Sequence, residues 1–130
     1  MARKTRLADL QLAIMEVLWS KGEASVGDVK EALHASRPLA YTTVGTMLAK
    51  LEQKGLVAHR VEGRANVYRS LVPRDKVSRS MVDDLLERLF AGDVAGMVCH
   101  LLEDADVSRD ELDRVKAILR QKEKELRRGE

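Results

Sequence analysis

Cysteine is scarce in this chain of 130 residues, which contains only Cys99. A single thiol cannot form a disulfide within the chain, and it excludes a zinc site built from clustered thiolates. This cysteine usage is typical of proteins in the reducing cytoplasm. Because Cys99 lies in an apolar helical segment, we expect it to be a small core residue rather than a reactive thiol.

Long apolar runs are also missing. No uninterrupted apolar stretch approaches the roughly 18 residues that a membrane-spanning helix requires. The chain begins with Arg3, Lys4 and Arg6, but the apolar segment of a signal peptide does not follow them. We therefore expect a cytoplasmic protein with no contact with the membrane.

The residue patterns of common catalytic sites are absent as well. The sequence has no glycine-rich phosphate loop, no nucleophile elbow and no HExxH motif, so we do not expect an enzyme. His34 and His59 are predicted to be polar surface residues. His100, Glu103 and Asp104 have a spacing that could hold a divalent ion on one helical face, but a third strong ligand is lacking. We expect no metal and no cofactor.

Positive charge is in small excess, and its distribution is uneven. The net charge is +2. Residues 1–72 contain 11 basic and 7 acidic side chains, a net charge of +4, whereas residues 73–130 contain 12 and 14, a net charge of −2. A polyanionic partner would therefore bind the first half. Pro73 marks the boundary, and we predict a DNA-binding domain over residues 1–72 and a helical dimerisation domain over residues 73–130.

Two helices are predicted at the start of the first domain. Apolar residues recur at helical spacing over residues 7–21, and Gly22 can end that helix. Ser25 and Asp28 nearly match a capping box, which predicts a second helix that is broken at residues 36–38.

A third helix, over residues 42–54, carries the most informative pattern. Val44, Met47, Leu48 and Leu51 share one apolar stripe, while Thr42 can cap the start and Gly55 can end the helix. The opposite side carries no side chain that would block close approach to a DNA groove: it consists of Thr42, Thr46, Ala49, Lys50 and Gln53, with Thr43 and Gly45 on its flanks. Threonine hydroxyls can bond phosphates or base edges, and a lysine can reach a phosphate or a guanine. The predicted DNA-binding residues on this helix are Thr42, Thr43, Gly45, Thr46 and Lys50.

A two-stranded hairpin is predicted directly after this helix. Residues alternate over 57–61 and again over 65–69, and Glu62 and Gly63 supply turn chemistry. Arg64, beside the turn, is well placed to contact a phosphate. Three helices followed by a hairpin indicate a mainly α protein with a winged helix-turn-helix, in which residues 42–54 form the recognition helix and residues 57–70 form the wing.

The second half is predicted to contain three helices, over residues 74–91, over residues 93–103 and after the capping box of Ser108 and Glu111. Their apolar stripes are too wide to be buried within one short segment, which favours an interlocked homodimer. The alternative is a three-helix domain that covers the winged helix of its own chain. The predicted dimerisation residues are Leu85, Leu86, Leu89, Val94, Val98, Leu101, Leu112 and Val115.

The chain resembles the penicillinase and methicillin-resistance repressor family (BlaI/MecI type) over nearly its whole length. The resemblance is carried by residues 10–19 (LQLAIMEVLW), 40–51 (AYTTVGTMLAKL), 54–57 (KGLV), 63–68 (GRANVY) and 90–93 (FAGD), and by residues 108–119. It implies a homodimeric repressor of an inverted-repeat operator on double-stranded DNA, with half-sites related to TACA/TGTA. In relatives, a membrane sensor's signal leads to proteolysis in the dimerisation domain.

The chain departs from this pattern at functional positions. Relatives have an arginine where this chain has Gly45, so the operator sequence is expected to differ. The bond that is cleaved in relatives, Asn-Phe, aligns with His100–Leu101, which makes this bond the candidate cleavage site and a protease a candidate partner. A copper-responsive branch of the family uses cysteine pairs that this chain lacks. Gly96 is expected to weaken the helix around that bond by about 1 kcal/mol.

Two other functions stay open. A winged helix can serve as a protein-interaction adaptor that does not bind DNA, and the repressor could respond to a ligand or a metal instead of a protease. An adaptor would not need Lys50 and Arg64 together beside an unobstructed helix face. Salt-dependent binding to DNA distinguishes a DNA-binding repressor from such an adaptor.

Overall fold

The computed structural model describes residues 9–104 and 106–129. The described elements are α1 (Asp9–Lys21), β1 (Glu23–Ser25), α2 (Val26–Leu33), α3 (Tyr41–Gln53), β2 (Val57–Glu62), β3 (Ala65–Ser70), α4 (Arg74–Phe90), α5 (Val94–Asp104) and α6 (Arg109–Arg128). This arrangement confirms the mainly α fold with a winged helix-turn-helix. The chain packs as two units, of which the first ends at Leu85 and the second begins at Leu86, within α4. The division predicted after residue 72 stays a prediction.

The predicted end of α1 and the predicted start of α2 agree with the structure, whereas α2 ends at Leu33, before the break predicted at residues 36–38. Gly22 has a positive φ of 85°, which a glycine adopts without strain, and it follows the last residue of α1. The capping box of α2 is confirmed, because Ser25 Oγ accepts from the backbone N of Asp28 and the Asp28 carboxylate accepts from the backbone N of Ser25, each at 3.1 Å. Leu7, the first apolar residue of the predicted α1 stripe, lies outside the described residues.

The sheet differs from the prediction. It has three strands in the order β1-β3-β2, rather than the two of a simple hairpin. The missed strand, β1, pairs antiparallel with β3 and places Ala24 opposite Tyr68. A strand of three residues is too short to show alternation, and Glu, Ala and Ser have little intrinsic preference for strands. Its pairing therefore depends on β3, which is distant in sequence.

The core lies between α1, α2, α3 and the sheet. Val44, Leu48 and Leu51 are fully buried and Met47 packs against them, as the apolar stripe of α3 predicted. The predicted cap of this helix was wrong. The helix begins at Tyr41, its N-cap is Ala40, and Thr42 lies inside the first turn without a capping hydrogen bond. The remaining buried core residues are Ile14, Met15, Val17, Leu18, Ala24, Val26, Val29, Leu33, Leu56, Val57 and Tyr68.

Trp19 anchors the segment that leaves the sheet. Its indole Nε1 donates to Ser70 Oγ at 3.1 Å and to the carbonyl oxygen of Val72 at 2.9 Å. Glu16 on the same helix forms an ion pair with Arg74 at 3.2 Å. The chain is thus held against α1 as it enters α4.

The second unit contains the end of α4, α5 and α6. α4 and α5 are joined through Ala91 and Gly92, both at positive φ, and Ser108 caps α6 by accepting from the backbone N of Glu111. None of the side chains described after Leu85 is buried. Across residues 9–104 and 106–129, no helix is both long and apolar enough to cross a membrane.

Candidate nucleic-acid interface

The outward side of α3 is open to solvent along its length. Thr42, Thr43, Thr46 and Lys50 are exposed, as their positions opposite the apolar stripe predicted. Gly45 lies on one flank and is half-buried, and a β-carbon added to it would lie 3.9 Å from Val26 Cγ1. α2 therefore limits the space beside Gly45, although an alanine would make only an ordinary contact.

The single carboxylate of α3 is directed away from this outward side. Glu52 Oε1 and Oε2 lie 2.7 and 2.9 Å from Nδ1 of His59 on β2. The His59 ring also packs at 5.3 Å from the ring of Tyr68. His59 is exposed, as predicted, but its bond to α3 was missed because the two partners belong to different elements. The outward side of α3 consequently carries no negative charge.

The basic residues of the wing differ in their partners. Arg64 follows Gly63, which adopts a positive φ of 63° in the turn, and it is exposed. Among the described residues, no carboxylate forms an ion pair with Arg64 or with Lys50. Arg60, in contrast, donates to Glu23 at 3.0 Å and to Glu62 at 2.7 Å. The hydrogen bond that Arg60 donates to Glu23 lowers the pKa of this carboxyl group, and the positive charge of Arg60 lowers it further.

Tyr41 is a candidate contact residue that was missed. It is the first residue of α3, and 57% of its surface is exposed. Trp19 and Phe90 are half-buried and Tyr68 is buried, so Tyr41 is the most exposed aromatic side chain of the chain. The available signal was an aromatic residue directly before the two threonines. It places a phenol beside the small side chains of the recognition helix.

Comparison with known proteins agrees with this geometry. Residues 7–121 match the family model described as penicillinase repressor. The chain belongs to this family. The penicillinase repressor family consists of transcriptional repressors, so the expectation that the chain is not an enzyme is confirmed.

Several relatives of the repressor align over most of its length. The transcriptional regulator BlaI of Mycobacterium tuberculosis is 41% identical over 121 residues, which cover 92% of this chain and 86% of the relative. The penicillinase repressor of Bacillus licheniformis is 27% identical over 119 residues, or 92% and 93% of the two chains. The solution structure of the DNA-binding domain of the repressor BlaI has a TM-score of 0.51 and 28% identity, and it covers 58% of this chain and 93% of that domain.

The second unit of this repressor contains the candidate cleavage bond. His100 and Leu101 are both exposed on α5, and the His100 ring lies 5.8 Å from the ring of Phe90 in an edge-on arrangement. Cys99 is also exposed, so its assignment to a core was wrong. The apolar side of α5 has no core within its own unit to cover it.

One further expectation about α5 is revised. Gly96 lies in the first turn rather than the helix interior, and its N–H donates to Asp93 Oδ1 at 3.1 Å. The interior penalty for glycine therefore does not apply in full. In the part of the chain that the structure describes, no three potential ligands cluster around a metal position. The side chain of Asp104 lies outside that part.

Proposed function

We propose that this chain is a homodimeric repressor that binds inverted-repeat DNA, with α3 in the major groove and the wing beside it. The observation that carries this proposal is the outward side of α3, which is exposed, free of carboxylates and bordered by Lys50. Membership of a repressor family and the likeness to the DNA-binding domain of BlaI support it.

The proposed contacts divide into two kinds. Lys50 and Arg64, which have no carboxylate partner among the described side chains, contact phosphates and position the protein. Thr42, Thr43 and Thr46 contact base edges, where a hydroxyl can donate or accept and a methyl can touch thymine. Gly45 has no side chain where relatives have an arginine, so this chain lacks that contact with a base or phosphate and its operator sequence differs.

Salt-dependent gel shift with dyad-containing DNA tests these contacts. Lys50→Ala or Arg64→Ala should weaken binding to all sequences and reduce the salt slope by about 0.9 per lost contact, or about twice that for a symmetric dimer. Thr43→Ala and Thr46→Ala should change base preference instead. Lys124→Ala, an exposed change on α6, is the control. Unchanged binding in all four variants would remove the assignment and favour a protein-interaction adaptor.

Dimerisation is proposed through the uncovered apolar side chains of the second half. Leu85, Leu89, Val94, Val98 and Leu101 are between 38% and 70% exposed in the single chain. Leu86, Leu112 and Val115, which complete the predicted interface, are half-buried. The structure exposes further apolar side chains that this prediction omitted, namely Val82, Leu102, Ile118, Leu119 and Leu126. A second copy would remove this surface from water, and linking two winged helices raises affinity for a dyad.

Derepression is proposed to follow proteolysis between Met97 and Leu102, with His100–Leu101 as the first candidate bond. Exposure of both residues supports access, and α5 must open locally for a protease to bind its backbone. Cleavage would separate α6 from the rest of the proposed interface. The dimer would then lose the gain in DNA affinity that comes from linking two winged helices. Mass spectrometry of the protein from induced cells tests this. Full-length protein during derepression would favour a ligand-operated switch.

A further inference from the structure

The segment between β3 and α4 is held against α1 by a closed set of hydrogen bonds. Trp19 Nε1 donates to Ser70 Oγ at 3.1 Å and to the carbonyl oxygen of Val72 at 2.9 Å. Ser70 Oγ in turn donates to the same carbonyl at 2.6 Å and accepts from the backbone N of Val72 at 3.2 Å. The hydroxyl thus uses its one donor and both of its acceptor sites. The indole therefore fixes the conformation of this segment as well as its position.

The first turn of α4 continues directly from this contact. The carbonyl oxygen of Pro73 accepts from the backbone N of Val77 at 3.4 Å, so the helix begins immediately after Val72. Within α4, whose residues are all described, only Val77 is buried, at 2% exposed. The ion pair of Arg74 with Glu16 lies at the same end, but its side chains are 62% and 41% exposed, so it contributes little. The indole and Val77 therefore hold the start of α4.

The helix that starts at this contact also connects the two units. The boundary between the units, after Leu85, lies within α4. α4 is continuous over 17 residues, a length of about 25 Å. Because an unbroken helix is stiff, a rotation at its first turn moves its last turn, which carries Leu89 of the proposed dimer contact. The hydrogen bonds of Trp19 thus determine the direction in which α4 leaves the part of the first unit that contains α3.

We propose that Trp19 is a positioning residue that determines which spacing of half-sites the homodimer accepts. This inference rests on the proposed function, because it requires two copies of α3 on one DNA molecule. Successive base pairs are about 3.4 Å apart and rotated by about 35°, so one added pair both displaces and turns the second half-site. A dimer whose α4 helices are rigidly held cannot follow this change. Its preferred ligand is double-stranded DNA with two half-sites at one separation.

Replacing the indole with a phenyl ring tests this role. Trp19→Phe keeps an aromatic side chain and removes the Nε1 donor. Selection from random DNA with the wild-type protein supplies a dyad, and a single half-site and dyads with one base pair inserted or removed between the half-sites are made from it. Trp19→Phe should bind the single half-site within about twofold of wild type, since α3 is unchanged.

The effect of Trp19→Phe should appear only when two half-sites are present. The variant should bind the selected dyad about tenfold more weakly than wild type, because a looser connection lowers the effective concentration of the second winged helix. Its preference for the selected dyad over the altered dyads should fall by about fivefold or more for the same reason. Trp19 is the only tryptophan of the chain, so circular dichroism reports the folding of this variant.

Three further variants separate position from stability. Ser70→Ala removes the hydroxyl but retains Trp19, whose fluorescence reports folding, and it should relax the spacing preference in the same direction; it decides the matter if Trp19→Phe does not fold. Ser25→Ala removes the cap of α2 and none of these hydrogen bonds, so it should keep the wild-type spacing preference. Arg74→Gln should change that preference by less than about twofold, because the ion pair is exposed.

The outcomes that would overturn this role differ from those that would overturn the proposed function. The role is overturned by an unchanged spacing preference in the folded variants, by equal loss of half-site and dyad binding, or by the same relaxation in Ser25→Ala. Dissociation of the Trp19→Phe dimer in sedimentation would also overturn it, because affinity would then follow assembly rather than position. A wild-type protein that selects no dyad and shows no salt-dependent binding would instead overturn the proposed function, and this inference with it.

Discussion

The two units of this repressor differ in how far their apolar residues are buried. In the first unit, α1, α2, α3 and the sheet enclose a contiguous core in which Ile14, Leu48 and Leu51 are fully buried. In the second unit, α5 and α6 have equally regular apolar stripes, yet Val94, Ile118 and Leu126 are more than 60% exposed. The helical pattern alone does not distinguish these outcomes.

The difference lies in what is available to cover each stripe. Helices in the first unit pack against a sheet and one another, so each stripe has a partner within the unit. The second unit has few elements, and a small helical unit seldom buries enough surface to be stable by itself. The first unit therefore encloses a core of its own, whereas the second leaves its apolar side chains exposed in the single chain, which is why we propose that a second copy covers them.

The largest expected effect contrasts one leucine from each unit. Leu48→Ala should lower the free energy of unfolding of the first unit by about 3 kcal/mol, because it leaves a cavity in a closed core. Leu89→Ala should leave that value unchanged, because Leu89 is 70% exposed in the chain. Urea unfolding followed by the fluorescence of Trp19, which lies in the first unit, measures both. Similar losses would show that the units do not differ in this way.

The next effect concerns self-association. Leu89→Asp or Val98→Asp should place a charge in the proposed interface and weaken the dimer by about 2 kcal/mol or more, roughly 30-fold. Ala117→Asp, on the side of α6 opposite Val115, should have little effect. Sedimentation velocity over a range of concentrations gives the comparison. Stable dimers in all three variants would contradict the proposed interface.

A smaller effect compares two N-cap serines. Ser25 caps α2 in the first unit and Ser108 caps α6 in the second, each with a 3.1 Å bond. Ser25→Ala should destabilise the first unit by about 1 kcal/mol, because the bonded N–H loses its partner. Ser108→Ala should not shift the transition reported by Trp19. A shift of the same size in both would mean that the two units unfold as one.

The smallest effect is a pH dependence within the first unit. Arg60 lowers the pKa of Glu23 in the folded protein. The stabilisation that the ionised Glu23 gives the folded protein through Arg60 is therefore fully present at neutral pH. It is lost as pH falls from the ordinary glutamate range through the lowered pKa of Glu23. The difference in unfolding midpoint between wild type and Glu23→Gln should shrink on acidification. In an Arg60→Gln background, Glu23→Gln should produce no such pH-dependent difference; if it does, Arg60 is not the cause.

Local patterns predicted much of the first unit. The stripe of Val44, Leu48 and Leu51 correctly assigned both the buried and the exposed sides of α3, because helical geometry relates residues four apart whatever surrounds them. Gly55 ends that helix with a φ of 78°, as expected. The start of α3 was harder to assign, since Ala40 serves as N-cap without the side-chain bond that usually marks the position.

The features that were missed join residues far apart in the chain. β1 exists through its pairing with β3, Glu23 meets Arg60 across 37 positions, and Trp19 reaches Val72 across 53. Cys99 shows that burial, too, cannot be predicted from residues close in the sequence. Its apolar surroundings on α5 suggested a core, but burial requires a neighbouring surface, which no pattern within the helix can supply.

By itself, the sequence determined the order of the helices and of the two hairpin strands, the apolar side of each helix and the small, basic character of the outward side of α3. These properties depend on residues within one or two turns of each other. Only the tertiary structure decided that Glu52 is bonded to His59 and Arg60 to Glu23 and Glu62, whereas Lys50 and Arg64 form no ion pair with any described residue. The reason is that a side chain's partner is set by the approach of another element, and that approach is decided by packing of the whole unit.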